Sequence, residues 1–279
     1  MHHSRGTRIG LGVATALTLA FIYVPLGLIA LYSFNERRTQ AWPIPGFTLE
    51  WWGKALDNPG ARDALLTSLK AALGATALAL MLGTLAALAV QRYRFFGRET
   101  VSFLVILPIA LPGIVTGMAL NATFREVLSP FGVGLGLFTV IVGHATFCIV
   151  VVYNNVLARL RRSSRSIEEA SMDLGADTWQ TFRYVTLPVM KTALLAGALL
   201  AFALSFDEVI VTTFTAGPDA TLPIWILANL SRPNQLPIVN VVAVIVILLS
   251  AIPVYIAQRI SHEPGEAAGG VAAGGAARS

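Results

Sequence analysis

The stretch Ser166–Pro188, which reads SIEEASMDLGADTWQTFRYVTLP, is the longest polar interruption in a chain that otherwise alternates apolar runs with short loops. Ser166 followed three residues later by Glu169 fits a capping box, in which the hydroxyl and the carboxylate satisfy free amide donors at a helix start. Gly175 supplies the left-handed residue that ends such a helix. The stretch therefore predicts a short helix, a tight turn and a second short helix.

Small and apolar side chains recur at helical spacing on one face of the first predicted helix, whereas its acids point elsewhere. The second predicted helix has its own capping residues and carries two aromatic side chains. The hairpin is thus predicted to present an apolar knob. The face consists of Ile167, Ala170, Ser171 and Leu174, the acids are Glu168 and Asp173, the caps are Asp177 and Gln180, and the aromatic residues are Trp179 and Phe182.

The spacing of Glu169-Ala170-Ser171, Gly175 and Val185-Thr186-Leu187-Pro188 resembles a loop shared by membrane permeases of binding-protein-dependent ABC importers. That family's pattern is Glu-Ala-Ala, three residues, Gly, nine residues and Ile-x-Leu-Pro; Ser171 and Val185 are mild departures. The resemblance implies a cytoplasmic coupling helix, within a loop at about 159–190, that docks into a groove on a separate ATPase. The alternative is an ordinary helical hairpin between two spans. The coupling residues implied are Ile167, Glu168, Glu169, Ala170, Ser171, Leu174, Gly175, Trp179, Phe182, Leu187 and Pro188.

The composition indicates a membrane protein. Hydrophobic residues make up 55% of the chain and charged residues only 13%, which is too apolar for a soluble domain of this length. The arginines lie beside apolar runs rather than in a stripe, so they indicate topology rather than nucleic-acid binding. The single cysteine, Cys148, excludes an intrachain disulfide and a thiolate metal cluster.

Six apolar runs are each long enough to cross a hydrocarbon core of about 30 Å, which predicts an all-α polytopic protein with six transmembrane helices. We expect a permease domain at 9–260 between a basic arm at 1–8 and a Gly- and Ala-rich, disordered tail at 261–279. The first run exceeds a signal-peptide core and is interpreted as a retained span. The runs are 9–32, 64–90, 101–124, 135–157, 192–214 and 238–258.

Basic residues orient these spans. Of the 20 Lys and Arg residues, thirteen fall in segments that would be cytoplasmic if both termini are inside, and seven fall outside or at outer span ends. This bias follows the positive-inside rule and places the Ser166–Pro188 loop in the cytoplasm. The resemblance implies that the membrane is the inner membrane of a bacterium. The predicted outside loops are 35–62, whose tryptophans suit the membrane interface, and the proline-rich segment between the fifth and sixth runs.

Small residues in the second run and prolines in the third predict how these two helices pack and bend. Gly74 and Gly83 in the second run favour close helix contact. The third run contains Pro108 and Pro112, which predict a kinked or partly unwound helix whose freed carbonyls must find neighbouring donors. Because such kinks often line a pathway, Pro112 and Asn121 are candidate pathway residues.

Asp207 and Glu208 are the most unusual polar residues near a span. A charge near the bilayer centre costs at least about 2.5 to 3.5 kcal/mol, so adjacent acids are retained for a reason. They either line a pathway for a cation, which paired carboxylates attract, or serve an interfacial or helix-pairing role. His144 is the one histidine within a span, where packing or hydrogen bonding is its more common role.

A narrower resemblance concerns the solute. The segments 204–208, 212–214, 217–218 and 221–224 (LSFDE, TTF, GP and TLPI) resemble the spermidine and putrescine branch of these permeases. Many relatives place an acid after the second proline of the third span, whereas this chain has Gly113. That departure leaves thiosulfate, iron and phosphonate open as alternative solutes.

The chain has no Gly-x-x-x-x-Gly-Lys-Ser/Thr cradle for phosphates, and it shows no grouping of nucleophile, base and orienting residue. The expected function is therefore a transport subunit without an ATPase site or cofactor of its own, with ATP and Mg bound by a partner. The resemblance implies an ATPase dimer, a second permease subunit, alike or different, an external substrate-binding protein and membrane lipid as partners. The rival class is an ion-coupled secondary carrier, for which Asp207 and Glu208 would form the ion site.

Overall fold

The computed structural model describes the backbone of residues 5–261 and the side chains of residues 6–250. Most of the predicted 261–279 tail and residues 1–4 of the predicted arm lie outside this range. Helices dominate the described range, which confirms the all-α prediction, and its β-pairing is an isolated bridge between Asn35 and Phe47. The helices are α1 Arg5–Tyr32, α2 Glu50–Leu56, α3 Pro59–Arg92, α4 Arg98–Ala110, α5 Gly113–Thr123, α6 Leu137–Arg162, α7 Ser166–Asp173, α8 Thr178–Thr181, α9 Leu187–Phe206, α10 Ile210–Thr215, α11 Leu222–Leu230 and α12 Leu236–Ser261.

Several of these helices have the length and composition of membrane spans. Four qualify alone within the described residues, and α4 with the segment Gly113–Phe131 forms a bent pair at 106° that would make a fifth crossing. The sixth predicted run corresponds to α12, which is apolar over Leu236–Ser250. The four are Gly6–Tyr32, Pro59–Arg92, Leu137–Arg162 and Thr178–Phe206.

One compact unit comprises residues 1–65 and 222–249. Asn35 is buried in this unit, and its carbonyl accepts a hydrogen bond of 2.9 Å from Trp51 Nε1. Trp51 is buried, and Trp52 stacks on Phe34 with 5.3 Å between ring centroids. The prediction that these tryptophans form an interfacial cluster was therefore wrong for Trp51, whose indole N–H is satisfied inside the protein.

Both predicted outside loops contain helices. Helix α2 and the start of α3 lie within 35–62, and α11 lies within the proline-rich segment. Pro223 is the second residue of α11, a position where a missing N–H costs no helical bond. Trp225 packs so closely on Gly60 that a Cβ there would lie 2.9 Å from its Nε1. Both segments predicted as loops are therefore partly helical.

The second unit comprises residues 66–221 together with 250–279. Its core lies among α3, α6 and α9, where small residues allow close approach: a Cβ at Gly83 would lie 2.9 Å from the Ile149 carbonyl, and one at Gly74 would lie 2.7 Å from Ile141. This confirms the predicted close contact at both glycines. Within a lipid bilayer, close packing of this kind stabilises helix association, because the hydrophobic effect that operates in water does not act there. The buried core includes Ala75, Ala79, Ala87, Cys148, Val152, Tyr153, Val156, Met190 and Ala201.

The third predicted span is broken at Pro112, as its prolines predicted. Helix α4 ends before Leu111, which is extended, and Pro112 precedes α5. The break follows from Pro112, which disfavours helical conformation at the preceding residue. The Pro112 carbonyl accepts hydrogen bonds from the amides of Val115 at 2.9 Å and Thr116 at 3.1 Å, which begin the hydrogen bonding of α5.

The fifth predicted span, 192–214, differs from the observed helices at its start and in its interior. Helix α9 starts at Leu187 and ends at Phe206, and α10 resumes at Ile210. The interruption at 207–209 contains neither proline nor glycine. The sequence thus predicted one continuous helix across Asp207 and Glu208, where the structure has a break that is bridged by tertiary hydrogen bonds.

Candidate functional site

Helix α7 begins differently from the prediction. Arg165 precedes it with helical dihedral angles, so Ser166 is already inside the helix and its side chain does not cap it. The Ser166 hydroxyl lies 2.6 Å from that of Ser164, and Glu169 Oε1 lies 3.4 Å from Arg165 Nε. The predicted Ser166–Glu169 capping box was wrong because the chain turns into the helix one residue early.

The end of α7 is as predicted. Gly175 has φ of +90°, the left-handed conformation that glycine adopts without a steric penalty. Its amide donates to the Met172 carbonyl at 2.9 Å, and the Ala176 amide donates to the Ser171 carbonyl at 3.1 Å. These bonds satisfy carbonyls at the helix end and fix the turn that follows Leu174.

The predicted capping box of α8 is confirmed. Asp177 Oδ1 accepts from the Gln180 amide at 2.7 Å, and Gln180 Oε1 accepts from the Asp177 amide at 3.0 Å. A π-helical turn, Phe182–Thr186, then leads into α9, with Pro188 as its second residue.

Three of the predicted coupling residues are large, apolar and exposed, and we name them the knob residues. Leu174 is 90% exposed, Trp179 67% and Ile167 51%. Phe182, in contrast, is half-buried and packs on the helix core, with its ring 5.7 Å from that of Trp179. Phe182 is therefore less accessible to a partner than the three knob residues.

The other candidate coupling residues hold the hairpin together or lie at its rim. The Ser171 hydroxyl lies 3.2 Å from that of Thr181, so it joins α7 to α8. Leu187 packs on the core, whereas Ala170 and Pro188 are exposed. Ser171 and Leu187 therefore support the knob rather than extend it.

Glu168 has a role that sequence reasoning missed. Its Oε1 accepts hydrogen bonds from Arg92 Nη2 and, at 2.8 Å, from the Thr186 hydroxyl. The Glu168 side chain is only 13% exposed and that of Arg92 27%. This cluster, which we name the Arg92–Glu168–Thr186 bridge, joins the knob helix to the end of α3 and to the turn before α9. The only sequence signal was an arginine that ends an apolar run.

Asp207 and Glu208 lie in the break between α9 and α10 and differ in environment. Glu208 Oε1 accepts from the Val211 amide at 2.9 Å, and its carbonyl accepts from the Thr212 hydroxyl at 2.7 Å. The Asp207 side chain is exposed. Glu208 therefore caps α10, and Asp207 is the carboxylate that remains accessible.

The structure brings the two broken spans together. A Cβ at Gly117 of α5 would lie 2.6 Å from the Phe214 ring of α10, and Asn121 Nδ2 donates to the Phe214 carbonyl. Asn121 Oδ1 also accepts from Arg125 Nε at 3.0 Å. Asn121, predicted as a pathway residue, thus braces α10, while Pro112 is exposed at the first break.

Comparison with known proteins identifies the family. The sequence profile described as "Binding-protein-dependent transport system inner membrane component" matches residues 79–263, more than half of the chain. The chain belongs to this family. The permease is therefore an inner-membrane component of a transport system, and the matched region includes the hairpin and both breaks.

Two relatives extend the similarity over most of the permease. It is 34% identical over 240 residues to the putrescine transport system permease protein PotI of Escherichia coli strain K12, with 84% of each chain covered. It is 32% identical to the spermidine/putrescine transport system permease protein PotC of Shigella flexneri, with 93% of this chain and 96% of PotC covered.

The fold is also shared with solved transporters. A chain of a bacterial ABC transporter involved in alginate import superposes with a TM-score of 0.67 at 20% identity, with 94% of the permease and 98% of that chain covered. The inward-facing MetNI methionine ABC transporter gives a TM-score of 0.60 at 18% identity, with 77% and 97% covered. These similarities support the fold assignment.

Proposed function

We propose that the permease is a transmembrane subunit of an ATP-driven importer and that the knob residues dock on a separate ATPase. The observation that carries this proposal is the exposure of Leu174, Trp179 and Ile167 on a hairpin whose spacing matches the coupling loop. The three residues lie within one short hairpin outside the spans, and clustered exposed apolar side chains mark interaction sites. Each would contribute on the order of 1.5 to 3 kcal/mol if fully buried by a partner.

The Arg92–Glu168–Thr186 bridge gives the docked knob a mechanical connection to the spans. When ATP binding closes the partner ATPase dimer, the knob moves with its groove, and the bridge transmits that movement to α3 and α9. The spans then alternate between inward- and outward-facing states. Substrate and external binding protein bias this equilibrium only by their differential affinity for the two states.

A second permease subunit completes the assembly. In the 18-residue window that qualifies α1 as a span, no residue is buried within the chain. A helix apolar all round fits a surface covered by lipid and by a second permease, identical or homologous. In this arrangement both termini and the hairpin are cytoplasmic, and the binding protein docks on the opposite side.

The proposed cargo is a polyamine. The relatives PotI and PotC are named for putrescine and spermidine transport, and the permease exposes Asp207 at the break between α9 and α10. A carboxylate in a narrow pathway concentrates cations and repels anions. Asp207 is the residue through which this subunit would contact the cargo.

Replacing Asp207 with asparagine should raise the KM for putrescine uptake about three- to tenfold, because one charge-assisted contact is lost. Uptake into proteoliposomes that contain the complete transporter would measure this. Glu126→Gln removes another exposed acid, on the turn after α5, and should leave KM within about twofold. An unchanged KM in Asp207→Asn would show that the Asp207 carboxylate does not contact the cargo.

Replacing Leu174 with aspartate should reduce the ATPase recovered with affinity-purified permease by more than about tenfold, because a charge cannot be buried unpaired in the groove. Leu49→Asp changes another exposed leucine, before α2, and should leave recovery unchanged. Equal recovery with Leu174→Asp would show that docking occurs elsewhere. Uptake that survives loss of the ATPase but collapses with the ion gradient would instead establish a secondary carrier.

A further inference from the structure

A buried histidine spans the break that carries Asp207. His144 lies on α6, is fully buried, and approaches both sides of the interruption. Its Nδ1 lies 2.8 Å from the Ser205 hydroxyl in the last turn of α9, and its Nε2 lies 2.8 Å from the Thr212 hydroxyl in the first turn of α10. One imidazole thus joins the two helix ends where the backbone helix is interrupted.

The direction of these bonds follows from the hydrogen-bond inventory. The Thr212 hydroxyl donates its proton to the Glu208 carbonyl at 2.7 Å, so it can only accept from Nε2–H. With the proton on Nε2, Nδ1 of the neutral ring is an acceptor and receives a hydrogen bond from the Ser205 hydroxyl. Every donor in this series of hydrogen bonds has an acceptor, and the order runs from Ser205 through His144 and Thr212 to Glu208.

The other tertiary hydrogen bonds of α10 lie at its far end, whereas Ile210 and Val211 at its start make apolar contacts with Gly113 and with the core. The Thr139 hydroxyl donates to the Thr215 carbonyl at 2.7 Å, and Asn121 donates to the Phe214 carbonyl. At the break, Glu208 bonds within its own segment, and His144 supplies hydrogen bonds to both adjoining helix ends. His144 therefore connects the end of α9 to the start of α10, on either side of Asp207.

We propose that His144 is a positioning residue that fixes the Asp207–Thr215 segment and thereby places the Asp207 carboxylate for a cationic cargo. The role in cargo binding rests on the proposed function, whereas the role in ordering the segment does not. His144 touches neither the cargo nor a reacting atom, and it acts entirely through Ser205 and Thr212.

His144→Phe keeps a ring of similar shape but loses both hydrogen bonds, and His144→Gln retains one donor and one acceptor. We expect the KM for putrescine to rise about three- to tenfold in His144→Phe, with kcat within about twofold, and to return toward the parent value in His144→Gln.

Thr212→Val should raise KM as His144→Phe does, so the proposal can still be tested if His144→Phe fails to fold. In an Asp207→Asn background, His144→Phe should have no further effect on KM, because the group it positions is gone. An unchanged KM in both His144→Phe and Thr212→Val, with a raised KM in Asp207→Asn, would overturn the proposal.

A spin label separates this proposal from the choice of cargo. Cys148 is the only cysteine, so Cys148→Ala provides a background for a nitroxide at Thr213→Cys, which is exposed on α10. The label should be more mobile in His144→Phe than in the parent or in His144→Gln. If Asp207→Asn leaves KM unchanged, the cargo assignment fails, and the mobility of the spin label then tests the positioning role of His144 by itself. Increased mobility in His144→Phe supports that role, and unchanged mobility overturns it.

Discussion

Replacing Gly175 with leucine should leave the permease inserted in the membrane but reduce transport to near background. Gly175 has φ of +90°, and a Cβ added there would meet no atom within 4 Å. The penalty is therefore conformational, about 1 to 2 kcal/mol for a residue with a side chain. The helix end relieves this strain by rearranging, which displaces Leu174, the most exposed of the knob residues. ATP-dependent uptake in proteoliposomes, with the amount of inserted protein measured in parallel, tests the result.

Gly132→Leu provides a matched control for this substitution. Gly132 follows the 3-10 turn between α5 and α6 and has φ of +79°, and a Cβ added there would also meet no atom within 4 Å. The same backbone strain is thus imposed far from the hairpin, and uptake should stay within about twofold of the parent. Normal uptake in Gly175→Leu, or equal loss in both variants, would argue against a specific coupling role for this turn.

Features that depend on neighbouring residues could be predicted from the sequence. Gly175 ends α7 because its conformation is intrinsic, and Asp177 and Gln180 cap α8 because they lie three residues apart. Pro112 breaks the third span through its own ring and missing amide. In each case the cause and the effect lie within one helical turn.

Features that depend on tertiary contacts could not be predicted in the same way. The break at 207–209 has no proline or glycine and is held by His144, more than sixty residues earlier in the chain. The partner of Glu168 is Arg92, which lies 76 residues away in the sequence, and hydrophobic periodicity does not predict a contact between residues so far apart. Tryptophan is common at membrane interfaces, but Trp51 is buried and its indole N–H donates to the Asn35 carbonyl. The helical hairpin could therefore be predicted from local spacing, while its connections to the rest of the permease required the structure.

The Arg92–Glu168–Thr186 bridge leads to the second large expected effect. Glu168→Arg should lower ATP-driven uptake at least about tenfold, because a largely buried cation would face Arg92 without compensation, and breaking such a pair costs about 3 to 5 kcal/mol. Arg92→Glu should be equally damaging. The double exchange restores opposite charges at the same two positions and should recover a substantial part of the uptake.

The readout that distinguishes coupling from folding is ATP hydrolysis by the assembled transporter. If the bridge transmits movement, Glu168→Arg retains its ATPase partner and hydrolyses ATP with little uptake, because the knob still docks but no longer moves α3 and α9 together. Arg165→Gln, which breaks the exposed pair with Glu169, is the matched control on the same helix; such surface pairs contribute about 0 to 1 kcal/mol, so uptake should be nearly unchanged. A double exchange no better than either single variant would mean that the two charges act independently, and the bridge would then be a packing contact rather than the connection between motor and spans.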